Sequence, residues 1–290
     1  MNPAPRTLKL PDGRQLAYAE FGDPQDIPTI YCHGFPGSRL EAGLFQNAAS
    51  EKNLRVIAAD RNGLGESDPN PDRRLQDWAL DVEALVDNLG IKEFYLVGVS
   101  GGGPYALACA HHFGARVKKL TLVCPLGPLE EPALLQAMRW HARVNFQSIR
   151  NIPLLWRFAY RYSIVPLAQL WPQWLYQMML TLAPTPDLSV LKRPEVREII
   201  TTSLREAIRQ GANGILQEMR LYTEPWGFPV EEVHTPVELW HGKADETVPI
   251  LHGKTLGARL PNCQTHYMEN QGHFSLPIIH GDQILEKLTS

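Results

Sequence analysis

The residue in this chain best placed to do chemistry is a serine set between glycines, in Gly98-Val99-Ser100-Gly101-Gly102. It lies at the seam between a β-branched and aromatic run, Glu93 to Val99, and an Ala-rich helical run, Tyr105 to His112. A side chain on so sharp a strand-to-helix corner is thrust clear of the sheet, and the flanking glycines let the two backbones approach each other. An alcohol at neutral pH is a poor nucleophile, so Ser100 needs a neighbouring base, and the base needs a partner that fixes its tautomer and stabilises its cation. Two later segments offer that pair: Gln271-Gly272-His273-Phe274-Ser275 and Trp240-His241-Gly242-Lys243-Ala244-Asp245, each just past a strand. Both fall beyond carboxyl ends of strands, the side on which open α/β sheets bind ligands. Other readings stay open at this level. Asp245 could cap the helix that follows it, His273 could be a packed loop histidine, and a serine between glycines is often an ordinary turn residue. The competing acids Asp60 and Asp68 share a different turn, His266 lies inside a strand and His280 near the terminal helix. The adjacent His111 and His112 point about 100° apart on a helix and do not share a metal site easily.

The elements that must position these groups follow from hydrophobic patterning. The chain opens as a hairpin, Thr7 to Leu10 and Gln15 to Phe21 about a Pro11-Asp12-Gly13 turn. Short apolar runs at Thr29 to Cys32, Leu54 to Ala59, Phe94 to Val99 and Lys119 to Val123 then alternate with helical segments, as in a parallel sheet covered on both faces. Trp78, Val82, Leu85, Val86 and Leu89 recur at helical spacing before a Gly90 stop. The alternation halts at Pro125 and resumes near Pro236, with strands at Val237 to Trp240 and Gln264 to Met268 and helices around His252 to Leu260 and Asp282 to Leu288. The expected organisation is therefore a core of residues 1–125 and 234–290, interrupted by a helical cap, 126–233. Five of the seven tryptophans, Trp140, Trp156, Trp171, Trp174 and Trp226, lie in that cap. Within it Ile152 to Ala183 is strongly apolar, and Pro153, Pro166 and Pro172 should break it into short helices. A lid roofing an apolar pocket accounts for the pattern, with Trp140, Trp156, Trp171 and Trp174 as candidate walls. Arg157 and Arg161 beside aromatic residues leave a membrane-touching segment as the lesser alternative, and an exposed part of Ile152 to Ala183 could make a homodimer contact.

Composition narrows the partners. With 290 residues, 44% of them hydrophobic, the chain can bury a sizeable core. A net charge of −3 gives no broad basic field, so nucleic acid and an anionic membrane surface are not expected as partners. The opening Met1 to Lys9 lacks the apolar stretch of a secretion signal, and no run of about 18 apolar residues suggests a membrane span. The expectation is a soluble, cytoplasmic protein. Cys32, Cys109, Cys124 and Cys263 lie far apart without a C-x-x-C pair and are read as free thiols, buried for the most part. No ligand cluster suggests zinc, and no G-x-G-x-x-G or phosphate loop follows a strand, so neither a metal nor a cofactor is expected.

With the order Ser100, Asp245, His273 and a cap inserted after the strand that follows the serine corner, the chain resembles the α/β-hydrolase superfamily over nearly its whole length. The resemblance implies a mostly parallel, twisted sheet with helices on both faces. It also places His33-Gly34-Phe35-Pro36-Gly37-Ser38 at the family's H-G-x-P turn after the third strand. By similarity, the backbone N–H groups of Phe35 and Gly101 would form the oxyanion hole. Asp60 to Asp68 is a family-like turn after the fourth strand and is read as scaffold. The chain departs from the dehalogenase and epoxide hydrolase relatives, which carry an aspartate where Ser100 stands. It lacks the lipase-type H-G-G-G loop, and Phe35 breaks the H-G-G-P-G pattern of proline iminopeptidases. The implied activity is a serine hydrolase acting by acyl transfer on a small-molecule acyl substrate, with a carboxylic ester favoured. Amide and carbon–carbon bonds are the alternatives within that chemistry. A slow-turnover or non-enzymatic small-molecule binding module is the alternative outside it.

Overall fold

The computed structural model describes residues 4–290. Strands β1 (Arg6–Lys9), β2 (Gln15–Phe21), β3 (Ile27–Cys32), β4 (Leu54–Ala59), β5 (Phe94–Val99), β6 (Val117–Val123), β7 (Val237–Gly242) and β8 (Cys263–Met268) form one sheet. Its order is β1-β2-β4-β3-β5-β6-β7-β8. The opening hairpin pairs antiparallel and adds to the edge of β4, again antiparallel; every pairing from β4 through β8 is parallel. Because side chains alternate along a strand, each central strand feeds two cores. Ile30 and Cys32, Ile57 and Ala59, Leu96, and Leu120 and Leu122 point to one face. Tyr31, Val56 and Ala58, Val97 and Val99, and Val123 point to the other.

Helices cover both faces. On the second face lie α1 (Gln46–Glu51) and the C-terminal helix; on the first lie α2 (Trp78–Asn88) and α3 (Gly103–Phe113). Between β6 and β7 the chain leaves the sheet through α4 (Pro132–Ala137), α5 (Trp140–Asn151), α6 (Pro153–Ala159), α7 (Val165–Leu170), α8 (Pro172–Leu182), α9 (Thr185–Leu191), α10 (Pro194–Ala207) and α11 (Ala212–Tyr222). It returns to add α12 (Leu251–Arg259), α13 (Ser275–Ile279) and α14 (Gly281–Thr289). The inserted helices share the first face's core, where Phe146, Ile149, Met219 and Tyr222 pack with Tyr105 and Leu107. They also hold a small core of their own, built from Tyr176, Val190, Leu191, Val196 and Ile200.

Prolines act in this segment as the sequence suggests at two of three places. Pro153 and Pro172 open α6 and α8, where a missing N–H costs nothing. Pro166 does not break its helix. The chain runs unbroken from Pro153 to Leu170 because Tyr160–Ile164 widens into a π-type turn just before it, which relieves the clash a proline ring makes with the preceding turn. No helix among the described residues is long and apolar enough to cross a membrane.

Candidate active site

Ser100 sits at the end of β5 with φ +53, in the left-handed region that a residue with a Cβ adopts only at a cost of about 1–3 kcal/mol. The corner is held in that shape from both sides. The Ser100 carbonyl accepts the N–H of Leu126 at 3.0 Å. A Cβ on Gly102 would run into the carbonyls of Cys32 and His33, so only glycine lets β3 pass this close. The result aims the Ser100 hydroxyl away from the sheet, and His273 Nε2 meets it at 3.0 Å.

His273 stands on the loop after β8, and its Nδ1 lies 2.7 Å from Asp245 Oδ2 on the loop after β7. The other Asp245 oxygen accepts the backbone N–H groups of Thr247 (2.9 Å) and Val248 (2.8 Å). Asp245 does not cap the following helix, which starts at Leu251 with Ile250 at its N-cap; its second oxygen instead fixes the turn that leads there, leaving the first for His273. All three side chains are buried. Burial alone would raise the Asp245 carboxyl, but the His273 imidazole hydrogen-bonded to it and the nearby His241 ring, 3.5 Å away, outweigh it and hold the group well below its ordinary value. For His273 burial works the other way, and the Asp245 charge and hydrogen bond leave the imidazole above its ordinary 6.5. Cys124, His241 and Asp245 cluster closely enough to suggest a metal. Both Asp245 oxygens already accept hydrogen bonds, and His241 Nε2 donates to the Val248 carbonyl at 2.8 Å, while His241 Nδ1 is buried without a partner among the described residues.

The turn that carries Phe35 packs against the serine corner: a Cβ on Gly34 would lie 3.5 Å from the Ser100 Cβ, and one on Gly101 would press on the Phe35 side chain and the Tyr222 hydroxyl. Gly101 belongs to the first turn after the serine, where N–H groups have no carbonyl to pair with inside the turn. Both limbs are fixed from behind by one buried network. Arg61 donates to the His33 carbonyl at 2.6 Å and the Gly34 carbonyl at 3.1 Å. Tyr222 shares its proton between the Gly101 carbonyl (2.9 Å) and Glu218 (3.0 Å). Glu218, fully buried on α11, also accepts from Arg61 at 2.7 Å, Tyr105 at 2.7 Å and Arg73. Burial would raise Glu218, but the two guanidiniums bring it down to about 2.

Two residues absent from the sequence reading complete the site. Asp187, at the start of α9, buries its carboxylate against the histidine loop and accepts the N–H groups of His273 (3.0 Å), Phe274 (3.0 Å) and Ser275 (2.8 Å). It is the sole acid between Glu131 and Glu195, a signal visible in the sequence. Glu41 accepts from the Gly34 N–H at 2.7 Å and the Tyr31 hydroxyl at 2.9 Å with one oxygen, and lines the same hollow as Ser100 and His273. Burial pushes its carboxyl up, partly offset by those two donors.

Two chambers meet at Ser100. One, about 290 Å³, is roofed by α5, α7 and α8 and walled largely by apolar side chains such as Met138, Phe146, Leu175 and Met219; it reaches Phe35 and Gly101. The other, about 110 Å³, reaches His273 and Glu41. Of the tryptophans expected to wall the pocket, Trp174 lines the larger chamber. Trp140 and Trp171 are instead exposed, at 71% and 59%, and Trp156 packs beside Tyr160 without reaching the chamber. Pattern alone cannot tell which side of a lid helix faces in when the helix is apolar all round.

The family model described as the alpha/beta hydrolase fold matches residues 28–277. Among curated proteins, the "Putative proline iminopeptidase" of Mycoplasma pneumoniae is 25% identical, the match covering 94% of each chain. The 2-hydroxymuconate semialdehyde hydrolase of Pseudomonas putida is 26% identical over 87% of this chain and 82% of its own. Among solved structures, the bromoperoxidase of Bacillus anthracis superposes with a TM-score of 0.74 at 20% identity, covering 99% of this chain and 98% of its own.

Proposed function

The chain belongs to the alpha/beta hydrolase fold family and is a hydrolase, and from that premise we propose that it cleaves carboxylic esters with Ser100 as nucleophile. The observation that carries the reading is the unbroken relay from Ser100 Oγ through both nitrogens of His273 to Asp245. In the acylation step Ser100 Oγ bonds to the carbonyl carbon while its proton passes to His273 Nε2. The carbonyl oxygen takes the negative charge facing the Phe35 and Gly101 N–H groups. His273 then returns the proton to the leaving oxygen as the C–O bond breaks, and water repeats the sequence to free the acid.

Chamber geometry supports an orientation. His273 lines the smaller chamber and not the larger, so the group it protonates departs through about 110 Å³, while the acyl part occupies the apolar 290 Å³. This fits an apolar acyl chain or ring carried on a small alcohol. Amide hydrolysis is the second reading, favoured by the match to the Mycoplasma pneumoniae relative along almost its full length.

The test is an ester series of increasing acyl length, assayed with wild type and Ser100→Ala, beside labelling by a fluorophosphonate probe. Turnover and labelling that both vanish in Ser100→Ala establish the nucleophile. Labelling without ester turnover moves the reading to amide or carbon–carbon substrates, and absence of both overturns it.

A further inference from the structure

The inserted segment carries a charge pattern that the whole-chain total conceals. Residues 132–186 contain five arginines, Arg139, Arg143, Arg150, Arg157 and Arg161, and no lysine, aspartate or glutamate. With a net charge of −3 overall, the remainder of the chain is correspondingly acidic. Of the five, Arg139 pairs with Glu246; the other four have no carboxylate within ion-pair distance among the described residues. The same segment turns apolar side chains outward. Leu154 is 81% exposed, and Leu155, Phe158 and Tyr162 are each 62% exposed. On the continuous rod from Pro153 to Leu170 these positions fall at i, i+1, i+4 and i+8, a single face, with the Phe158 and Tyr162 rings 4.8 Å apart along it. Arg157 and Arg161, one residue before Phe158 and Tyr162, run beside that face as a parallel stripe. At the far end of the rod Leu170 and Trp171 are also exposed.

We propose that this face of the cap seats on an anionic phospholipid bilayer surface, lying in the headgroup region without crossing it. Apolar side chains flanked by arginines, with aromatic rings between, match a layer that is hydrocarbon below and negatively charged above. Charge decides between lipid and a second copy of the chain. A two-fold contact sets a patch against a second copy of itself, so Arg157 and Arg161 would be brought against a face that has no acid in the segment to answer them. Anionic headgroups supply the missing counter-charge. Trp174, half exposed at the end of the same helical layer, also lines the chamber that reaches Ser100, so an apolar molecule dissolved in the bilayer has a short route to the site. The lipid contact itself does not depend on what Ser100 does.

Purified full-length protein is sedimented with phosphatidylcholine vesicles and with vesicles also containing phosphatidylglycerol, at low and high salt, beside light scattering of the protein alone. The expected result is co-sedimentation with the anionic vesicles that weakens with salt. Partitioning should fall at least tenfold in the triple variant Leu154→Ser, Leu155→Ser, Phe158→Ser and in the double variant Arg157→Glu, Arg161→Glu. These side chains are exposed and lie outside both chambers, so circular dichroism and the unfolding midpoint should match wild type. Wild type that stays in the supernatant overturns the proposal, as does binding unchanged in the variants. A wild-type dimer that the triple variant converts to monomer overturns it in favour of self-association.

Discussion

His273 is pulled two ways, and the balance sets how activity should respond to pH. Burial disfavours its charged form, Asp245 favours it, and the net result lies above the ordinary 6.5. In the proposed reaction a protonated imidazole cannot take the Ser100 proton, so kcat/KM should fall as pH drops through a value above 6.5. Asp245→Asn removes the charge that raises His273 and presents the wrong hydrogen-bonding partner to Nδ1. Turnover should drop by about 10⁴-fold, with the residual acid limb displaced to lower pH; the pH profile of kcat/KM for both proteins checks this. The raised value carries a sign for stability as well: the ionised His273–Asp245 pair stabilises the fold below pH 6.5, and that contribution is lost as pH rises through the folded value.

At the scale of elements, helices of the cap do more than roof the chambers. The N-terminal turn of α9 delivers Asp187 to three backbone N–H groups of the histidine loop. Asp187→Ala leaves those donors buried without an acceptor, at about 1–3 kcal/mol each. The expected outcome is a lower unfolding midpoint together with a loss of turnover, because the loop that aims His273 is no longer tied down. Asp187→Asn retains one acceptor oxygen and should lose less of both. Equal losses in the two variants, or an intact midpoint in Asp187→Ala, would show that the loop holds without this helix.

Across the whole molecule, cap and core are one polar and apolar unit. Glu218 on α11 balances Arg61 and Arg73 beneath the sheet's active edge, and Tyr105 and Tyr222 share its oxygens. Calorimetry should therefore record a single unfolding transition, not one for the cap and another for the core. Glu218→Gln strips two buried guanidiniums of their counter-charge and should cost about 3–5 kcal/mol. Because Glu218 titrates in the fold at about 2, below its ordinary 4.5, its contribution is present above pH 4.5 and is lost as pH falls toward 2. The wild-type unfolding midpoint should decline over that window, and the decline should be shallower in Glu218→Gln.

What the sequence determined by itself was local. The short continuous apolar runs marked β4 and β5 to the residue and the other central strands to within a few, and the Gly-x-Ser-x-Gly corner and two post-strand loops located Ser100, Asp245 and His273. Each is a matter of neighbours along the chain, where steric preference and hydrophobic patterning act directly. Only the tertiary structure decided which distant groups meet: Asp187 with the histidine loop across 86 residues, Glu218 with Arg73 across 145. It likewise decided that Trp174 faces the chamber while Trp140 and Trp171 face outward. The physical reason is that a carboxylate's partners and an apolar helix's buried side are fixed by packing against other elements, and chain spacing carries no record of that contact.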